Sequence, residues 1–302
     1  MSAWTPLAIV ALGGAGAFLI ACLEQALAGA RPAPTVIAGR AIALVRDPIT
    51  RPVTYDRWLY HGAPLLLLLA AVTALSTVPW SPGFRGIDFE VGGVVFTAAL
   101  AYVTPAVFMA GWGAGRPLAV VGGFRFLALM LGFAMPLAMV VTAVGAPAGS
   151  LRPAAIVDVQ ETIPLALAQP FSLVLWLPAV MAVALLPPFD VATAPSELGG
   201  GAFSRYTGLE AGLVALARKI LLLAVAGMTA ALFLGGWHGP VLPDALWMAA
   251  KTAGVAALML WAGRRLPRLE TDRLLSFAWK VAIPGAILAI FLAGLETLLF
   301  YR

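Results

Sequence analysis

The sequence predicts an all-α integral membrane protein of about eight transmembrane helices, built as a single transmembrane domain over 1–302. Three observations predict it. Hydrophobic residues make up 62% of the chain and charged residues 11%, where a soluble domain carries about 25% charged residues. Apolar runs close to the roughly 20 residues a bilayer requires recur along the whole chain. The basic residues between those runs alternate in density from loop to loop, as topology demands.

The expected spans run Pro6–Cys22, Ala63–Val78, Val91–Trp112, Leu118–Val144, Ile163–Leu186, Ala211–Gly236, Leu242–Ala262 and Phe277–Tyr301. The N-terminus lacks a basic n-region and a clear cleavage site, so it is expected to be the first span and not a removed signal. An even span count puts both termini on one side. The first loop carries Arg31, Arg40, Arg46, Arg51 and Arg57, the third Arg116, the fifth Arg205, and the seventh Arg264, Arg265, Arg268 and Arg273. The second has Arg85 against Asp88 and Glu90, the fourth Arg152 against Asp158 and Glu161, and the sixth no Lys or Arg. The odd loops are therefore expected to be cytoplasmic and both termini outside, in a prokaryotic plasma membrane.

Composition also excludes. The single Cys22 rules out an internal disulfide framework and a cysteine-based cluster within the chain. Two histidines, His61 and His238, make a self-contained metal or haem site unexpected. The net charge of +5 marks cytoplasmic loops here and not nucleic acid.

Two features modify the simple bundle. In the long first loop, Ile37, Ala41, Leu44 and Val45 share one helical face, with Arg46 opposite. That suits a cytoplasmic interfacial helix; the alternative is an ordinary polar connector. The fifth span contains Pro164, Pro170 and Pro178 and should kink. Pro105, Pro136 and Pro284 interrupt other spans singly. There is no visible internal repeat, which counts against transporter folds built on inverted repeats.

The stretch the chain is organised around is Leu186–Gly208, LPPFDVATAPSELGGGAFSRYTG. Its prolines restrict the backbone and its three glycines free it. A solvated connector and a site are both open on composition. The candidates here are Asp190 as a turn former or polar wall, Glu197 as an ion-pair partner of Arg205 or of a first-loop arginine, and Tyr206 as a hydrogen-bond donor or interfacial anchor. Glu210 opens the sixth span, where it suits the helix dipole. Glu24 closes the first span and is a candidate to face the same chamber. Lys251 lies about two turns into the seventh span, either snorkelling or as an intramembrane charge. Glu296 is expected to reach the interface, as are the two histidines. Arg264, Arg265, Arg268 and Arg273 are a positive-inside anchor first, and second a docking surface for an acidic partner.

Three segments then line up: PFD at Pro188–Asp190 with Glu197–Leu198 and Arg205–Gly208; LFLGGW at Leu232–Trp237; and LPRLETDRLLSFAWKVAIP at Leu266–Pro284. Together they resemble the family of membrane subunits of respiratory complex I known by the letter H or the number 1, and its relatives in membrane-bound hydrogenases and formate hydrogenlyases. The resemblance covers about the last 120 residues well, and the earlier half in layout. It implies a subunit at the heel of a membrane arm, with no cofactor of its own. Such a subunit docks beneath peripheral-arm iron–sulfur subunits, helps shape a quinone chamber, and neighbours antiporter-like membrane subunits that translocate protons. Asp272 would then belong with the arginines of the docking loop.

The same resemblance exposes departures. Val183, Thr193, Pro195, Arg205 and Arg218 stand where that family commonly carries glutamates, Leu186 stands for an arginine, and Glu197 is retained. This implies a divergent member that keeps its docking surface with a weakened or rerouted charge path. The spacing from Glu197 to Gly208 is closer to complex I, and the compact length to the hydrogenases. A stand-alone transporter of eight spans, or a structural anchor that no longer touches quinone, are the competing readings.

Overall fold

The computed structural model describes residues 5–29, 31, 33–48, 52 and 54–300. Arg51 and Tyr301 lie outside them. The described residues form helices joined by turns, and the only bridge pairs Ser81 with Phe84. In order the helices are α1 Thr5–Leu27, α2 Pro34–Arg46, α3 Arg57–Ser76, α4 Gly92–Ala101, α5 Val103–Gly113, α6 Pro117–Gly145, α7 Pro153–Val159, α8 Leu165–Ala168, α9 Pro170–Val183, α10 Pro195–Leu198, α11 Gly208–Phe233, α12 Asp244–Arg265, α13 Thr271–Phe277 and α14 Ile283–Phe300.

Among the described residues, seven helical stretches are long and apolar enough to cross a membrane: Pro6–Leu27, Arg57–Ser76, Gly92–Gly113, Pro117–Gly145, Gly208–Phe233, Asp244–Arg265 and Thr271–Leu299. The expected fifth span is not among them. It is cut into α8 and α9, with Pro164 before the first and Pro170 at the start of the second. A proline supplies no N–H and disfavours helical geometry in the residue before it. The 14 residues of α9 reach about 21 Å, short of a hydrocarbon layer about 30 Å thick. Eleven of the residues from Ser172 to Leu186 are walled in by neighbouring helices, so the short helix belongs to the bundle interior.

Two of the three single prolines interrupt their spans as expected. Pro105 deprives the Ala101 carbonyl of its partner, and the third span breaks there into α4 and α5. Pro284 does the same to Lys280, and the turn before it widens into a π-helix at Ala278–Ala282. Pro136 is accommodated inside α6.

The bundle is centred on α11, whose residues Ile220–Phe233 are buried without interruption. A helix apolar on every side must sit inside. Small residues set the approach distances. An added Cβ on Gly16 would stand 2.2 Å from Leu223, on Gly111 2.4 Å from the Ala119 carbonyl, and on Gly113 2.6 Å from the Tyr60 nitrogen. Close contact across small residues is the main source of cohesion where lipid is as apolar as leucine. Inside, the Trp176 indole N–H donates to Thr229 Oγ1 at 2.8 Å, and that hydroxyl donates to the Val225 carbonyl. The expected first-loop helix forms as α2 and lies against α11, with Val45 beside Gly212.

Loops gather by parity. At one end the first, third, fifth and seventh loops meet: the Asp56 N–H donates to the Gly113 carbonyl, and the Leu269 N–H to the Pro188 carbonyl. At the other end the second, fourth and sixth meet. There the Gly93 N–H donates to the Leu151 carbonyl, and Arg152 forms a two-point ion pair with Asp88.

Candidate functional site

The odd-loop end holds most of the expected candidates. Its framework is the segment after α9. Leu185 caps α9 in the left-handed region at φ 57°, and the Leu186 N–H returns to the Met181 carbonyl. Such a cap normally takes glycine. Here Arg218 of α11 donates to the Leu185 carbonyl at 2.9 Å and holds it in place. The Asp190 carbonyl then accepts from the N–H groups of Thr193 and Ala194, closing a turn. Gly201, at φ 52°, brings the chain back so closely that an added Cβ would lie 1.9 Å from the Ala192 carbonyl. Gly122 of α6 supports both strands of this fold, 2.5 Å from the same carbonyl by the same measure. The run of glycines is therefore a packing requirement at Gly201, and the segment folds into a compact lining at the odd-loop end of the bundle.

Side chains fix this lining at four places. Asp190 is buried, and its carboxylate faces Arg268 of the seventh loop at 3.3 Å and Thr193 Oγ1 at 3.4 Å. Glu197 pairs with Arg125 of α6 at 2.5 Å. This differs from the expected partner: among the described residues Glu197 is held by Arg125, and not by Arg205 or a first-loop arginine. Arg125 sits two turns into a span, where an ionisable residue is a signal by itself, and attention to the loops alone misses it. Tyr206 is buried and stacked on Tyr60, its hydroxyl donating to the Tyr60 carbonyl at 2.9 Å. Burial, then the neighbouring Tyr60 and Glu210, push the Tyr206 phenol up, so it is a fixed donor and not an ionised group. Arg205 contributes its backbone carbonyl, which accepts from the Tyr60 hydroxyl at 2.7 Å.

Around this lining stand two further pairs. Glu210 Oε1 lies 2.6 Å from His61 Nδ1, while Glu210 Oε2 is buried with no hydrogen-bond partner among the described residues. His61, expected only as an interfacial residue, is instead the partner of Glu210. Glu24 pairs with Lys219 at 2.5 Å, and its carbonyl accepts from Arg264 at 2.5 Å, tying α1, α11 and α12 together. Of the docking candidates, Arg264 and Arg268 thus reach inward. Arg265 and Asp272 are exposed, and Arg273 makes an exposed local pair with Glu270.

Lys251 belongs to the opposite end. Its Nζ donates to the carbonyls of Leu234 and His238, both at 2.7 Å, and lies 5.7 Å from the Trp247 ring centre. No carboxylate partners it among the described residues. It closes the turn after α11, where Gly235 and Gly236 have φ 68° and 47° and Gln160 Oε1 accepts the Gly235 N–H. Glu296 also turns inward, accepting from Gln169 at the α8–α9 break. No group of three or more metal-ligating side chains lies together among the described residues.

A sequence model of the NADH dehydrogenase family matches residues 38–294. That range takes in most of α2 through most of α14. The chain belongs to the family of the NADH-quinone oxidoreductase H subunit. The H subunit of NADH-quinone oxidoreductase from Geobacillus kaustophilus is 34% identical over 257 residues, covering 83% of this chain and 77% of that protein. The H 1 subunit from Geobacter metallireducens is 31% identical over 262 residues, covering 84% and 80%. The corresponding protein of Syntrophotalea carbinolica is 30% identical over 248 residues, covering 79% and 75%. The likeness to these H subunits thus extends well beyond the last 120 residues that carry the legible motifs. The LFLGGW motif is the turn that Lys251 closes, and the PFD motif is the turn of buried Asp190.

Proposed function

We propose that this chain is the membrane-arm anchor of a redox-driven, ion-translocating complex of the NADH-quinone oxidoreductase kind. The odd-loop end faces the cytoplasm and docks the iron–sulfur peripheral arm. The Asp190–Tyr206 lining forms one wall of the quinone chamber. Antiporter-like subunits adjoin the exposed apolar faces of the bundle, and both termini lie outside in a bacterial plasma membrane. The observation that carries this reading is the junction of fifth and seventh loops. Arg268 meets Asp190, and the Leu269 N–H meets the Pro188 carbonyl, so a docking loop is part of the chamber wall. The bacterial relatives and the basic odd loops support the assignment of sides.

The residues present fit a quinone headgroup, which offers two carbonyl acceptors. Arg218 is the suited donor: among the described residues its guanidinium makes one hydrogen bond, to Leu185, and it carries five N–H groups. The Tyr206 hydroxyl is spent on the Tyr60 carbonyl and is not a ligand. When bound, the quinone supplies the electron-accepting chemistry, and this chain supplies walls and fixed charge.

The charge path differs from one built on adjacent carboxylates. Arg218 places a permanent cation in the mouth, and Glu197 is held by Arg125. The chain therefore anchors and shapes the chamber, and proton transfer runs through its neighbours. Purification of the tagged chain from native membranes in mild detergent tests the assignment. Co-isolation of iron–sulfur subunits and antiporter-like subunits is expected. Recovery of the chain alone, with solute transport in liposomes, would establish a transporter instead.

A further inference from the structure

Arg268 differs from Arg265 and Arg273 of the docking loop in what it touches. Arg265 is exposed and Arg273 pairs only with exposed Glu270, whereas Arg268 is 46% exposed at its side chain and faces a carboxylate that is 8% exposed. The closest Arg268–Asp190 approach is 3.3 Å, from Nη2 to Oδ2. An arginine that binds a carboxylate well does so with two short parallel bonds. Asp190 does not depend on Arg268 alone: Thr193 Oγ1 lies 3.4 Å from the same oxygen.

We propose that Arg268 is the residue through which docking of the soluble arm is sensed by the chamber wall, and that an acidic side chain of the docked partner competes with Asp190 for it. The chemistry favours this. The seventh loop carries Arg264, Arg265, Arg268 and Arg273 against Glu270 and Asp272, a net basic stretch whose complement is acidic. Arg268 has N–H groups left over for a second carboxylate. As the partner draws Arg268 outward, Asp190 keeps its contact with Thr193 Oγ1. The turn that Asp190 closes then keeps the 3.5 Å bond from the Leu269 N–H to the Pro188 carbonyl as its tie to the seventh loop. The competing occupant is a carboxylate-bearing protein surface, as the net basic charge of the seventh loop favours.

This inference rests on the docking role proposed above, and one set of binding measurements separates the two. The soluble arm is released from membranes carrying the complex and re-bound by co-sedimentation at graded salt. Arg265→Gln reads docking alone and is expected to weaken re-binding several-fold. Arg268→Gln should weaken it by about tenfold, with Arg268→Lys in between, since lysine keeps the charge without the fork. The decisive variant is Asp190→Asn: removing the internal competitor should tighten re-binding by about threefold. In the Arg268→Gln background the same change should do nothing. If Asp190→Asn weakens re-binding, or acts equally with and without Arg268, the competition is wrong. If Arg265→Gln and Arg268→Gln both leave re-binding untouched, the docking role itself is wrong.

Discussion

The rings of Tyr60 and Tyr206 lie parallel, 4.5 Å apart at 9°, and Tyr206 donates its hydroxyl to the Tyr60 carbonyl while Tyr60 donates its own to the carbonyl of Arg205. The two residues are 146 positions apart in the chain. Their reciprocal bonds lock the start of the second span to the end of the fifth loop. Tyr206→Phe keeps the stack and removes one bond, so it should cost about 1 kcal/mol of stability. Thermal unfolding of the detergent-solubilised complex checks this, and quinone turnover should persist, because the hydroxyl has no free bond to give a ligand.

Gly201→Ala tests the fold of the fifth loop. The new methyl would stand against the Ala192 carbonyl in a left-handed conformation. A cost of about 2–3 kcal/mol is expected, visible as loss of the assembled chain from membranes. Gly199→Ala is the control, since its Cβ would meet nothing within 4 Å and only the backbone cost remains.

Glu197→Gln should leave proton translocation intact. The carboxylate is 53% exposed at its side chain and already committed to Arg125, so the pair contributes below about 1 kcal/mol. Translocation assays in inverted vesicles check it; loss of pumping with electron transfer retained would return Glu197 to the charge path.

At the opposite end, the Arg152 hydrogen bond holds the Asp88 carboxyl below the usual carboxylate range, with the Arg152 and Arg85 charges adding to it against burial. A carboxylate whose folded value is depressed contributes stability above its unfolded value and loses it as pH falls through the folded one. Melting temperature should therefore decline on the acid side, and Asp88→Asn should flatten that decline while lowering the plateau at neutral pH.

Lys251→Met leaves the Leu234 and His238 carbonyls without their donor. A loss of about 2 kcal/mol in thermal unfolding is expected, with redox and docking properties preserved, because the lysine lies at the end away from the odd loops.

The bundle was legible because hydrophobic runs and loop arginines report on the bilayer directly. The first-loop helix was legible from one apolar face, and Val45 of that face meets Gly212 of α11. The fifth span looks continuous in sequence because hydropathy does not register the missing N–H groups of Pro164 and Pro170. Asp190 and Tyr206 were recognisable as special by their neighbours in sequence. Their partners were not, since Arg268 and Tyr60 come from distant segments that only packing brings near. Arg125 and His61 carried a visible sign, an ionisable side chain inside or at the edge of a span, and that sign points to Glu197 and Glu210 once the helices are set side by side.

The central claim is that the odd-loop end is the cytoplasmic face and receives an iron–sulfur partner. A photo-crosslinking amino acid placed at position 265 in native membranes tests it most directly, with position 85 at the other end as control. The expected result is a crosslink from 265 to a soluble iron–sulfur subunit and none from 85. A crosslink to that subunit from 85 alone, or labelling of 265 by a membrane-impermeant reagent added outside intact cells, would contradict it.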